Sequence, residues 1–234
     1  MKINVHRLKK RYSEQFALDV PALSIAAGQS FGLVGNNGAG KTTFLRLVLD
    51  LLPADEGHVE IDGMTVAESE DWKRNVGSYL DSSFLLDYLS PLEFFSFIGT
   101  VYGLTKAETM ERLEPFAPFL PADALEPHGV LIRDLSTGNA KKVGIVAALF
   151  FHPEIVILDE PFANLDPRSQ IVLKNMLRDL NMQQGLTMII SSHDLAHVTE
   201  VCKRIAVLED GEFVREIDTS EETLKELQAY FAAE

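Results

Sequence analysis

The sequence is poor in several groups that would tie it to common classes. Cysteine occurs once, at Cys202, so no disulfide can close within the 234-residue chain. That fits a reducing compartment, and Cys202 reads as a small buried hydrophobe on a helix rather than a reactive thiol. Long apolar runs are missing too. The longest, Val143 to Phe151, is nine residues, against the roughly 20 needed to cross a bilayer. Met1 to His6 carries no apolar signal region, so the chain is expected neither to start with a signal peptide nor to span a membrane by itself. Basic residues number 21 against 35 acidic ones, for a net charge of −14. An acidic surface is a poor match to nucleic acid or an anionic membrane face, and no nucleic-acid partner is expected. Repeats and low-complexity tracts are absent, which excludes a tandem duplication. What is present is an ordinary globular composition, 46% hydrophobic and 24% charged, long enough for one large domain with a buried core.

Hydrophobic periodicity divides the chain into three stretches. The first reads as strands: Ile3 and Val5, then Phe16, Leu18 and Val20, alternate with polar neighbours, the mark of a half-buried strand. Phe31–Val34 is an apolar strand, Thr42 to Leu52 a helix stopped by Pro53, and Gly57 to Gly63 a strand bounded by glycines. The middle stretch is helical. Ser90-Pro91-Leu92-Glu93 and Thr105-Lys106-Ala107-Glu108 are two capping boxes, and Asn139 to Phe151 forms a further helix. The last stretch alternates strands (Ile155–Leu158, Thr187–Ser191, Arg204–Leu208) with helices (Pro167–Gln184, Leu195–Cys202) and closes with a hairpin turn at Glu209-Asp210-Gly211 and a helix capped by Thr219 to Glu222. This pattern predicts an α/β fold with a largely parallel sheet covered on both faces, N-terminal antiparallel strands, and a helical subdomain inserted over 88–150 of a single 1–234 domain.

Two segments carry chemistry. Gly35, Asn36, Asn37, Gly38, Ala39, Gly40, Lys41 and Thr42, followed by Thr43, satisfy G-x-x-x-x-G-K-[ST] between an apolar strand and a helix. The glycines let backbone N–H groups turn around phosphate oxygens, and the helix N-terminus adds partial positive charge. Lys41 is expected on the β- and γ-phosphates and Thr42 on Mg²⁺. Ile155–Leu158 then delivers Asp159 and Glu160 to a strand end, where ligands sit in such sheets. Asp159 is assigned to Mg²⁺ and Glu160 to the attacking water. Lys41 and Asp159 lie 118 positions apart, too far for a compact small GTPase.

In this frame the sequence resembles the ATP-binding cassette family, the nucleotide-binding subunits of ABC transporters. Leu135-Ser136-Thr137-Gly138-Asn139 is similar to the family's LSGGQ signature, with Ser136 and Gly138 matching and Thr137 and Asn139 departing. Lys142 stands where the family often has a basic residue. Pro161 to Asp166 resembles the segment ending in the D-loop, and Ser191-Ser192-His193-Asp194 the switch-histidine loop. Tyr12 sits where the family places an aromatic ring on adenine, with Phe16 as a nearby rival. Asp81 stands where the family has a glutamine; it either contacts Mg²⁺, directly or through water, or caps Ser83.

The resemblance implies a P-loop NTPase core of the RecA-like kind and ATP with Mg²⁺ as ligands. It also implies that Ser136 and Gly138 serve the nucleotide of a second subunit, in a homodimer or alternatively a heterodimer. His193 would contact the γ-phosphate and Asp166 would communicate across the interface. It further implies a separate transmembrane permease, a cytoplasmic position on the inner face of the membrane, and, from the Ser-Thr-Gly signature, export of the type-2 kind. The alternative is a soluble cassette ATPase of the iron–sulfur assembly or cell-division type. A translation-associated protein would carry two cassettes.

Overall fold

The computed structural model describes residues 1–12, 17–127 and 129–232. Ten strands form a single sheet in the order β5–β4–β1–β2–β10–β9–β3–β8–β7–β6. Strands β1 (Ile3–Arg11), β2 (Ala17–Ile25), β4 (Glu56–Ile61) and β5 (Met64–Thr65) pair antiparallel at one end. Strands β9 (Arg204–Glu209), β3 (Ser30–Val34), β8 (Thr187–Ser192), β7 (Ile155–Leu158) and β6 (Val76–Tyr79) run parallel to one another. Between the two groups lies β10 (Glu212–Asp218), antiparallel to β9 and touching β2.

The parallel strands are apolar throughout because both faces are covered. Ile155 and Ile157 enter one core, with Phe44, Leu45 and Val48 of helix α1 (Lys41–Val48). Val156 and Leu158 enter the other, beneath α4 (Thr137–Leu149), α5 (Pro167–Gln184) and α6 (Leu195–Val201). The same second core takes in Phe94 and Phe95 of α2 (Pro91–Val101) and Leu113 of α3 (Lys106–Leu113). Between β6 and β7 the described residues hold helices, turns and loops but no strand, and α7 (Thr223–Ala232) is the last element among them.

Most predicted elements stand within a residue or two of their bounds, and the capping boxes at Ser90 and Thr105 are both formed. Three differ. Helix α1 stops at Val48, before Pro53, because Asp50 turns left-handed at φ 53° and the N–H of Leu51 reaches back to the carbonyl of Arg46. The strand predicted to Gly63 ends at Ile61, and the Asp62-Gly63 turn leads into the two-residue β5. Helix α4 begins at Thr137 rather than Asn139, since the Ser136 hydroxyl accepts the N–H of Asn139 and so caps it. Cys202 is buried, as read from sequence, and burial pushes its thiol far above the ordinary range.

The signature helix α4 reaches β6 through two glycines. A Cβ on Gly77 would overlap the carbonyl of Ala148, and one on Gly144 would overlap the ring of Tyr79. Backbone cannot yield as a flexible side-chain tip does, so Gly77→Ala is expected to destabilise the protein by about 1–3 kcal/mol. Thermal denaturation should show this as a loss of roughly 2–4 °C for each kcal/mol.

Candidate active site

The phosphate loop joins β3 to α1. Gly40 precedes the helix at φ 109°, a left-handed conformation that L side chains resist, and no side chain caps the helix start. The first-turn N–H groups are thus left for an anion. A cavity of about 350 Å³ opens here, lined by residues that include Tyr12, Asn37, Gly40, Lys41, Thr42 and Glu160. Lys41 is buried and folds back, donating from Nζ to the carbonyls of Gly35 (2.6 Å) and Asn36 (3.2 Å).

The C-terminal ends of β7 and β8 supply the rest. The Thr42 hydroxyl donates to Asp159 Oδ2 at 2.5 Å, and the Ser191 hydroxyl donates to the other oxygen, Oδ1. The Ser191 oxygen in turn accepts the Glu160 N–H at 2.9 Å. Glu160 itself is left-handed at φ 47°, and its carbonyl accepts from Lys141 Nζ at 2.7 Å. Its carboxylate oxygen Oε2 lies 2.9 Å from His193 Nδ1. The other oxygen, Oε1, is buried without a hydrogen-bond partner among the described residues, 3.6 Å from Lys41 Nζ. One oxygen is thus oriented by His193, and the other keeps lone pairs free for a hydrogen-bond donor. Thr42 and Asp159 present hard oxygen donors that already meet, which suits Mg²⁺. Bound there, the ion would neutralise charge on the phosphates.

A second cavity, of about 490 Å³, is lined by residues that include Ser136, Gly138, Asn139, Lys142, Asn164 and Asp166. A Cβ on Gly138 would stand 2.6 Å from the carbonyl oxygen of Asn164, so the signature turn lies directly on the loop before α5. Asp166 caps α5, accepting the Ser169 N–H at 2.9 Å and its hydroxyl at 2.5 Å. Those bonds from Ser169, with Lys142 beside it, lower its pKa to about 2.

The predicted residues therefore fall into two groups. Tyr12, the phosphate loop, Asp159, Glu160 and His193 belong to one; Ser136, Gly138 and Asp166 belong to the other. Asp81 takes the capping position: the N–H and hydroxyl of Ser83 both donate to its Oδ1, and Arg46 of α1 stands 3.7 Å from its Oδ2. Phe16, the rival to Tyr12, lies outside the described residues. Two contributors were not singled out from the sequence. Ser191 is a wholly buried hydroxyl ending an apolar strand, a signal that was there to use. Lys141 is one of two adjacent lysines on a mostly buried helix, only one of which can face solvent; burial lowers its pKa.

Residues 18–163 match the ABC transporter family. The chain belongs to that family. It is an ABC ATPase. The cassette is 31% identical over 219 residues to the linearmycin resistance ATP-binding protein of Bacillus subtilis, covering 91% of this chain and 68% of that protein. It is also 31% identical over 219 residues to the glucose import ATP-binding protein of Saccharolobus solfataricus, covering 91% and 61%. The chain spans 52% to 76% of the length of the curated relatives it matches. Its fold superposes with a TM-score of 0.82 on a dimeric ATP-binding cassette in a post-hydrolysis state bound to ADP and Pi, at 25% identity over 93% of this chain and 99% of that one.

The cassette's Lys141 suits a direct experiment. Lys141→Met keeps the packing of the stem but strips the partly buried Glu160 carbonyl of its donor, a loss of about 1–3 kcal/mol. If the loss is felt in the transition state, kcat should fall about 10- to 100-fold with ATP affinity of the resting chain retained, as measured by steady-state hydrolysis and a fluorescent-nucleotide titration. An equal loss of affinity would show that Lys141 shapes the binding cavity instead.

Proposed function

We propose that the cassette holds ATP and Mg²⁺ between the phosphate loop and Asp159, and that it closes head to tail on a second cassette to hydrolyse ATP. The observation that carries this reading is the separation of two half-sites on one chain. The cavity with Lys41, Thr42 and Glu160 has phosphate ligands and a carboxylate with a free oxygen, while the cavity with Ser136 and Gly138 has a capped helix start and a carboxylate, Asp166, already engaged by Ser169 and Lys142. Ser136 already accepts a bond from its own helix, which leaves its hydroxyl proton for a phosphate oxygen. Each half completes the other across an interface that includes Asp166. Glu160 takes the proton of the attacking water, Lys41 neutralises the phosphates, and His193 holds Glu160 and meets the γ-phosphate. Loss of one such preorganised donor costs on the order of 10²–10³ in rate.

A membrane permease on another chain is the proposed partner, which places the cassette at the cytoplasmic face of the membrane. No helix among the described residues is long and apolar enough to cross it. A groove of about 360 Å³ between β6 and α2, lined in part by Tyr79, Phe84, Leu85 and Phe97, suits an apolar helix of that permease. Phe84 and Phe97 are each about half exposed there. The groove also touches the turn capped by Asp81, which Arg46 links to α1, so the docked helix and the phosphate loop share a mechanical path. Export is the favoured direction, supported by the Ser-Thr-Gly signature; the relatives include a resistance protein and an import protein alike.

Glu160→Gln is expected to accumulate ATP-bound dimers, seen by size-exclusion chromatography, and to hydrolyse at least about 100-fold more slowly. Hydrolysis at the parent rate would remove Glu160 as the base. Affinity purification from membranes should recover an integral membrane subunit; recovery with soluble scaffold proteins alone would sink the transport reading. In inverted vesicles rebuilt with that subunit, ATP-driven uptake of cargo supports export, and release of preloaded cargo contradicts it.

A further inference from the structure

Outside the lining of both cavities, the outer face of the antiparallel strands brings two imidazoles and a carboxylate together. His6 of β1 pairs directly across the ladder with His58 of β4, and Glu60 follows two residues later on the same face. The two rings stack with centroids 4.8 Å apart at 27°. His6 Nε2 stands 3.5 Å from Glu60 Oε2, and His58 Nε2 stands 3.4 Å from Glu60 Oε1. The ligand atoms of the three lie within 4.8 Å of one another.

We propose that His6, His58 and Glu60 form a surface site for a late first-row divalent cation, Zn²⁺ above all. The separations support this. They exceed the usual 2.7–3.2 Å of a hydrogen bond. The two nitrogen–oxygen separations lie instead close to the edge of a tetrahedron whose metal–ligand bonds are about 2.0–2.2 Å, an edge of roughly 3.3–3.6 Å, with each histidine facing a different oxygen of Glu60. Two imidazole nitrogens with a carboxylate that turns one oxygen to each of them form a borderline donor set that prefers zinc, nickel or copper to magnesium. Water would complete the coordination. The ligands are also preorganised. Val5, Val59 and Ile61 anchor the two strands in the core beneath. Just beyond His6 and His58 the register shifts at a bulge, where Arg7 (φ 46°) and Gly57 (φ 75°) are both left-handed. The bulge pins the register and so keeps the two histidines opposite each other. Both histidines are nearly half exposed, which gives a metal direct access from solvent. A bound cation would staple β1 to β4, and β1 runs on to Tyr12 at the nucleotide cavity.

The probe is ZnCl₂, titrated calorimetrically into the full chain in a non-chelating buffer. Parallel titrations use His6→Gln, His58→Gln and His193→Ala, the last to separate any zinc held by the Glu160–His193 pair. One saturable equivalent is expected in the parent chain and in His193→Ala. Because even an outer-shell partner is worth about 10–100-fold in metal affinity, removal of a direct ligand should weaken binding by at least about 100-fold. Both His→Gln variants should keep the parent's Mg²⁺-dependent ATPase and melting temperature without zinc, and lose the rise in melting temperature that zinc confers. No saturable equivalent in the parent overturns the proposal, as does an equivalent that survives in His6→Gln and His58→Gln or disappears in His193→Ala.

Discussion

The active site depends on one carboxylate held at the ends of adjacent parallel strands. Asp159 leaves β7 with one oxygen on Thr42, at the start of α1, and the other on Ser191, at the end of β8. Parallel pairing sets this up, because it brings β3, β8 and β7 to a common edge with their C-terminal ends together. Ser191 then passes the constraint on by accepting the Glu160 N–H. The phosphate loop, Asp159 and Glu160 are therefore one hydrogen-bonded unit. Moving any strand of the three would move all of them.

A second unit reaches the first from the helical side. Lys141 and Lys142 are neighbours on α4, yet they serve different cavities. Lys141 is buried and grips the Glu160 carbonyl, while Lys142 reaches Asp166 and lies 5.9 Å from the ring centroid of Phe119. The helix that begins with Ser136 as its cap thus touches Glu160 of its own chain and the loop that the proposed interface uses. A shift of α4 is felt at both. The tight glycine contacts with β6 leave little room for α4 to slide on the sheet.

Sequence made some of this plain and concealed the rest for identifiable reasons. The strand at Ile155–Leu158 was legible to the residue, because four buried apolar residues end in charge. Helix starts at Ser90 and Thr105 were equally clear, since a capping box is a local bond pattern within four residues. Helix ends were less so: Pro53 marks where α1 cannot continue, whereas Asp50 decides where it stops, and left-handed aspartates have a weak signature. Strand order was not legible, because β10 and β9 come late in the chain yet insert beside β2 and β3. The phosphate loop and the Asp159–Glu160 pair came from contiguous motifs. Ser191 stood in the switch-histidine segment without a role and Lys141 in no motif, since their importance lies in partners 32 and 19 residues away. The outward pairing of His6 with His58 is hidden for the same reason, being a property of register rather than of spacing.

The left-handed backbone at Glu160 has a further consequence. A non-glycine residue held there costs on the order of 1–2 kcal/mol, and glycine would relieve it. With Glu160 as the proposed base, selection for a sturdier fold and selection for turnover pull this position in opposite directions. The bend can be kept only while the side chain's chemistry is worth more to the cell than the stability it forfeits. A cassette that had lost its catalytic duty would have nothing to hold glutamate at this turn, so position 160 is where a degenerate copy should first drift.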